Sequence, residues 1–175
     1  MAITEENPGY KWVGTRPIRP DGLEKVTGKA QFGADLMLPG MLFGKVVRSP
    51  HAHARIVSID TTAAEAMVGV KAVITGSDFP DLAANGAHAS DIDVASNAIA
   101  REKVLYEGHV VAAVAATTRD QAEAAAKAVE VTYEVLPHVL TVDEAMADGA
   151  PLLHEGMITK GVDPAPENPS NVASK

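Results

Sequence analysis

Residues 109–135 read HVVAAVAATTRDQAEAAAKAVEVTYEV, and this stretch decides the fold. Its first part, His109–Thr117, holds Val-Val-Ala-Ala-Val-Ala-Ala, a continuous apolar run. Such a run suits a strand covered on both faces. Thr118-Arg-Asp-Gln121 has the spacing of a capping box, in which the threonine and the residue three further on satisfy free backbone donors at a helix start. Ala122, Ala125, Ala126 and Val129 then fall on one helical stripe, and their small side chains let the helix approach a sheet closely. From Val129 to Val135 the pattern changes period. Val129, Val131, Tyr133 and Val135 alternate with Glu130, Thr132 and Glu134, which predicts a strand with one buried and one wet face. The stretch therefore spells strand, helix, strand.

A weaker copy lies upstream. Ala54–Asp60 is rich in branched residues and reads as a strand. Thr62-Ala-Ala-Glu65 has capping-box spacing, and the short helix it opens should stop near Gly69. Val70–Thr75 is the next strand. Before this unit, Met41–Arg48 reads as a strand that Ser49-Pro50 interrupts. Phe43, Lys45 and Val47 should face one way, and Leu42, Gly44 and Val46 the other. Gly76 to Arg101, with Pro80, Gly86 and several aspartates, reads as a surface excursion without strong secondary structure. Pro137 ends the last strand, and Thr141-Val-Asp-Glu144 opens a final short helix. The expected class is α/β of the mixed α+β kind: two strand–helix–strand units around a mixed sheet.

The ends differ in texture. Residues 1–12 read as a flexible arm, 13–155 as the folded domain and 156–175 as a linker, marked by Pro164, Pro166, Asn168 and Pro169. A linker in that position is expected to lead into a further domain.

The bulk properties narrow the function. The 175 residues are 46% hydrophobic and 22% charged, enough apolar material for one core. A formal net charge of −8 argues against binding nucleic acid or an anionic membrane. With no cysteine, the chain has no thiolate nucleophile and no cysteine-ligated iron–sulfur or zinc site. No signal peptide follows Met1, and Val110–Ala116 is too short to span a bilayer. The simplest reading is a soluble, cytoplasmic protein without membrane insertion, with a periplasmic place left open.

Apparent chemical motifs read more simply as structure. Gly22 and Gly28-Lys29 faintly resemble a phosphate loop, but the spacing is one residue too long and Ala30 stands where a magnesium-binding hydroxyl belongs. His51 and His53 are two apart beside Ser-Pro, and His88, His109, His138 and His154 supply no second ligand pair. Ser49, Ser58, Ser77 and Ser90 lie in no nucleophile elbow. Glu130 and Glu134 read as exposed strand residues rather than an acid–base pair. Arg48 and Arg55 read either as anchors for loops through carboxylates or as solvated edge residues. No catalytic, cofactor-binding or metal-ligating residue is assigned.

Several segments carry a family resemblance, in order along the chain. Asp21-Gly22-Leu-Glu-Lys25-Val26-Thr27-Gly28-Lys-Ala30 is followed by Asp35-Leu-Met-Leu-Pro39-Gly40-Met41-Leu42. The most specific piece is Arg48-Ser49-Pro50-His51-Ala52-His53-Ala54-Arg55-Ile56. Gly69–Val73, Thr75–Asp78, Val104–Gly108, Val111–Val114 and Val129–Pro137 complete the set. Together they resemble the amino-terminal α/β hammerhead domain of molybdenum hydroxylase large subunits of the xanthine dehydrogenase/aldehyde oxidase type. The match runs from Val13 to about His154. One departure is His109-Val110, where many such subunits carry Glu-Pro. The wording at 21–30 and 48–56 is closer to the xanthine and aromatic-thioester branches than to the carbon-monoxide branch.

The resemblance implies a structural domain that is not catalytic alone. It implies a molybdopterin cofactor held by a following molybdopterin-binding domain of the same subunit. It also implies iron–sulfur clusters and FAD in partner domains or subunits, and no cofactor in this chain. The full enzyme would carry out hydroxylation or another two-electron reaction on a heteroaromatic, aldehyde or aromatic thioester substrate. A free-standing binding or regulatory module derived from the same domain is the alternative. An exposed apolar patch favours the first reading and a fully polar surface the second.

Overall fold

The computed structural model describes residues 11–82, 84–86 and 88–175, with the side chains of 89, 90 and 93 left aside. The expected arm falls almost wholly outside the described residues. Two compact units are present, Met1–Pro39 and Gly40–Lys175.

In the first unit, α1 (Gly22–Val26) follows a salt-bridged Asp21, which pairs with Arg19 and Lys25. A 3-10 turn spans Gly33–Asp35. Neither element buries a residue. Gly22 and Gly28 bracket α1. The backbone N–H of Lys29 is spent on the carbonyl of Glu24, 2.8 Å away, as a helix ending requires and a phosphate cradle does not.

The second unit contains β1 (Phe43–Arg48), β2 (Ala54–Asp60), α2 (Thr62–Glu65), β3 (Val70–Thr75), a 3-10 turn (Gly76–Asp78) and α3 (Ala89–Ala98). There follow β4 (Lys103–Val104), β5 (Val110–Ala116), α4 (Arg119–Ala128), β6 (Glu130–Val135) and α5 (Val142–Met146). The mixed α/β class is as expected, but the single mixed sheet is not. The strands form two three-stranded sheets, β1-β5-β3 and β4-β2-β6, and every pairing is antiparallel. Each strand–helix–strand unit therefore steps from one sheet to the other. The first unit runs from β2 to β3 through α2, and the second from β5 to β6 through α4. They travel in opposite senses, so β3 pairs with β5 and β2 with β6. Register shifts at Val47/Arg48, Ile56/Ser58 and Val70/Ala72 mark bulges. Bulges sharpen local twist, which suits two small sheets better than one flat one.

The core is continuous between the sheets. Ala112 and Val114 of β5 pack with Ala64 of α2, Ala125 of α4 and Val129. On the opposite face of β5, Val111 packs with Ala54, Ala100 and Val104. Val47, Ile59 and Val131 touch both groups. The apolar run is thus covered on both faces, as its composition required. Ala122 and Ala125 are the buried residues of α4, and a backbone this close to a sheet leaves no room for larger ones.

Local details correct three expectations. At α2 the capping oxygen is not on Thr62. Asp60 accepts from the Thr62 N–H at 2.9 Å, and Thr61 donates to Glu65. At α4, Thr118 accepts from the Gln121 N–H, but the Gln121 side chain turns to Thr117 instead of closing a box. Of the three expected boxes, only that of Thr141 and Glu144, at α5, closes as a reciprocal pair. The largest correction is α3, which lies inside the excursion expected to be irregular. Its apolar residues have weak helical periodicity, and its end is held by tertiary bonds from Tyr106 and His109.

Residues 156–175 carry order of their own. Lys160 bridges Ser174, and the Asn171 amide donates to the carbonyls of Ala145 and Pro151.

Candidate functional site

The family-like segment Arg48–Ile56 meets Val104–His109 along a seam of backbone bonds. Ser49 N–H donates to the His109 carbonyl at 2.9 Å, and Gly108 N–H returns a bond to the Ser49 carbonyl at 2.8 Å. Arg48 reaches over and donates from Nη1 to the Gly108 carbonyl at 2.7 Å. Arg48 is therefore a loop anchor, but through a carbonyl and not a carboxylate. Arg55 does find a carboxylate, Glu134, at 3.1 Å. The two are register partners on β2 and β6, and both are more than half exposed.

Two imidazoles are buried in this region. His109 has no exposed surface. Leu105 N–H donates to its Nδ1 at 3.1 Å, so Nδ1 carries the lone pair. Nε2 then carries the proton, which it donates to the Ser96 carbonyl at 2.9 Å. The ring stacks on Tyr106 with centroids 4.4 Å apart. Burial pushes its pKa below the usual histidine value, against a smaller opposing effect of the Ser96 carbonyl. Of the residues weighed in the sequence, this one lay in the family departure and took no role. The signal for it was a histidine opening a wholly apolar strand, where an imidazole must find partners or not be buried.

His53 is also buried, and its Nδ1 lies 2.8 Å from the Pro137 carbonyl. His51 packs edge-on against Tyr133, so the two histidines of the segment do not act as a pair. Ser49 is buried with its hydroxyl shared by the backbone of His51. The Tyr133 hydroxyl has a raised pKa from burial, partly offset by Ser49. His154 is exposed, and His88 stands ahead of α3 without a capping bond.

The carboxylates serve local structure. Asp78 sits below its usual pKa because the Thr75 N–H and then the Thr75 hydroxyl bond to it. Glu144 is lowered chiefly by the Leu140 N–H, and Glu123 by Lys127. Among the described residues no three His, Asp or Glu side chains converge to hold a metal. His53 Nδ1, His109 Nε2 and His138 Nδ1 face backbone carbonyls, and His109 Nδ1 accepts from a backbone N–H. Most of the seam's polar side chains are engaged by neighbouring backbone groups, which leaves no convergent donor set for a metal ion among the described residues. No helix among the described residues is long and apolar enough to cross a membrane.

Fold and seam together define a two-sheet α/β domain whose buried polar groups tie loops to one another. Residues 27–137 match the family model for the aldehyde oxidase and xanthine dehydrogenase a/b hammerhead domain, and the chain belongs to that family. It is 44% identical over 138 residues to a probable xanthine dehydrogenase subunit of Bacillus subtilis, covering 79% of this chain and 18% of that protein. It is 43% identical over 148 residues to the carbon monoxide dehydrogenase large chain of Afipia carboxidovorans, covering 85% and 18%. The crystal structure of a Cu,Mo-CO dehydrogenase in its carbon-monoxide-reduced state shares 39% identity at a TM-score of 0.65, over 79% of this chain and 17% of that one. The chain thus spans under a fifth of the length of these relatives. The two sequence identities do not separate the xanthine branch from the carbon-monoxide branch.

Proposed function

We propose that this chain is the hammerhead portion of the molybdopterin-binding large subunit of a xanthine dehydrogenase/aldehyde oxidase-type enzyme. Residues 13–155 form the domain, 1–12 an arm, and 156–175 the connection toward the molybdopterin-binding portion. On this reading the chain is a scaffold without turnover of its own. The molybdopterin belongs to the following portion of the subunit, and iron–sulfur clusters and FAD to partner domains or subunits. The full enzyme carries out hydroxylation or another two-electron redox reaction on a heteroaromatic, aldehyde or aromatic thioester substrate in the cytoplasm.

Beside the family match, one observation carries the reading: large apolar side chains stand in the open. In the first unit Trp12, Ile18, Val26 and Met37 are each at least two-thirds exposed. In the second, Val46 and Ile74 flank Ala113 across β1-β5-β3 on the face away from α4 and remain part-exposed. Adjacent exposed apolar residues on one sheet face, as at Val46 and Ile74, are what a docking surface presents. A free-standing module would call for a polar surface, and these residues speak against it.

The test is elemental analysis of the purified chain combined with a reductase assay using artificial electron acceptors. No molybdenum and no turnover are expected. Stoichiometric molybdenum in the 175-residue chain would sink the reading.

A further inference from the structure

A cleft of about 50 Å³ lies beside His53, lined also by Ala52, Leu105, His138, Pro151 and Leu153. His53 is only 6% exposed. A carbonyl oxygen accepts and never donates, so the Pro137 carbonyl fixes the ring proton on Nδ1. In the neutral ring Nε2 is then a bare acceptor. It is fully buried and meets no donor among the described residues. Buried acceptors in folded proteins are nearly always satisfied, by protein or by ordered water.

The size and lining of the cleft select the occupant. A water needs about 10–15 Å³ of such space, so the cleft has room for one or a few. A divalent cation needs three or four converging ligands, and no such group exists among the described residues. A second polar side chain is present: His138 lines the same cleft, with its Nδ1 3.4 Å from the Leu136 carbonyl. We infer that the cleft holds an ordered water molecule, which donates a hydrogen bond to the buried His53 Nε2.

The water has a structural consequence. The His53 backbone carbonyl already accepts from Leu136 N–H at 3.0 Å, while its side chain holds Pro137. His53 thus pins the chain leaving β6 by two bonds. The water adds a third bond at the imidazole's far side, inside the cleft that Pro151 and Leu153 also line. This inference does not rest on the proposed function.

The experiment uses the 175-residue chain and its His53→Asn variant. The asparagine amide still donates to Pro137 but places no acceptor where Nε2 was. Long-lived bound water, read by magnetic relaxation dispersion, and a non-protonated His53 Nε2, read from its nitrogen-15 shift, are expected in the native chain. One such water is lost in the variant, and its folding equilibrium constant falls about tenfold, the size of one buried hydrogen bond. A protonated Nε2, a dry native cleft, or one-to-one binding of added zinc that shifts both His53 and His138 would each overturn the inference. If the variant does not fold, the two native-chain measurements decide alone.

Discussion

His109 donates from Nε2 to the carbonyl of Ser96, 2.9 Å away, and so ties the start of β5 to the last turn of α3. The bond pattern at both nitrogens requires a neutral ring. An unfolded histidine titrates near 6.5, and burial holds the folded value below that. As pH falls through 6.5 the unfolded chain takes a proton that the folded chain refuses. Stability is therefore full above 6.5 and declines below it, until the folded group also protonates. The carboxylates with lowered values act only near or below their ordinary 3.8 to 4.5, outside this window. Urea midpoints at pH 7.5 and 5.5 should differ in the native chain. His109→Gln, which does not titrate, should flatten that difference. Equal slopes in both proteins would contradict the assignment.

Removing the ring tests the same node at fixed pH. His109→Ala leaves the Leu105 N–H and the Ser96 carbonyl without partners and opens a cavity. A loss of about 2–4 kcal/mol at pH 7.5 is expected from denaturant titration, with faster amide exchange across α3.

Gly76 is a close-approach glycine. A Cβ there would fall 2.5 Å from the Ala100 carbonyl oxygen and 2.9 Å from the Arg101 Cα, both backbone atoms that cannot swing aside. Gly76→Ala should cost about 2–3 kcal/mol. Gly69 is a different case, with φ +89° and Gln121 in the path of a Cβ. Gly69→Ala should cost about 1–2 kcal/mol for the left-handed backbone and displace the Gln121 side chain. Thermal melts of the two variants check both values.

Ala125 is fully buried between α4 and the β1-β5-β3 sheet. Ala125→Leu should push the helix from the sheet and cost about 1–3 kcal/mol. A thermal midpoint unchanged from the native chain would show that the close approach is not needed.

Arg55 and Glu134 form an exposed cross-strand pair. A double-mutant cycle with Arg55→Met and Glu134→Gln should give a coupling below about 1 kcal/mol, shrinking further in 0.5 M salt (roughly a 4 Å screening length). A larger coupling would mean that the pair is shielded from solvent.

Much of the fold was legible because it is local. Val110–Ala116, Arg119–Ala128 and Glu130–Val135 each announce their period, and the caps at Thr118 and Thr141 lie one turn from the donors they bond. The strand Ala54–Asp60 was read to its ends. Helix α3 was not legible, because what holds its last turn comes from Tyr106 and His109, elsewhere in the chain. The seam was visible only as a family phrase. The phrase locates Arg48, but only the contact reveals that its partner is the Gly108 carbonyl.

By itself the sequence determined the periods, the turns, the family and the lack of thiol chemistry, since each depends on residue type and near neighbours. The tertiary structure alone decided that the strands divide into two antiparallel sheets and that His53 and His109 are buried. Strand partners and burial are set by residues far apart in the chain, and an imidazole's proton goes where the nearest carbonyl lies, which no local pattern encodes.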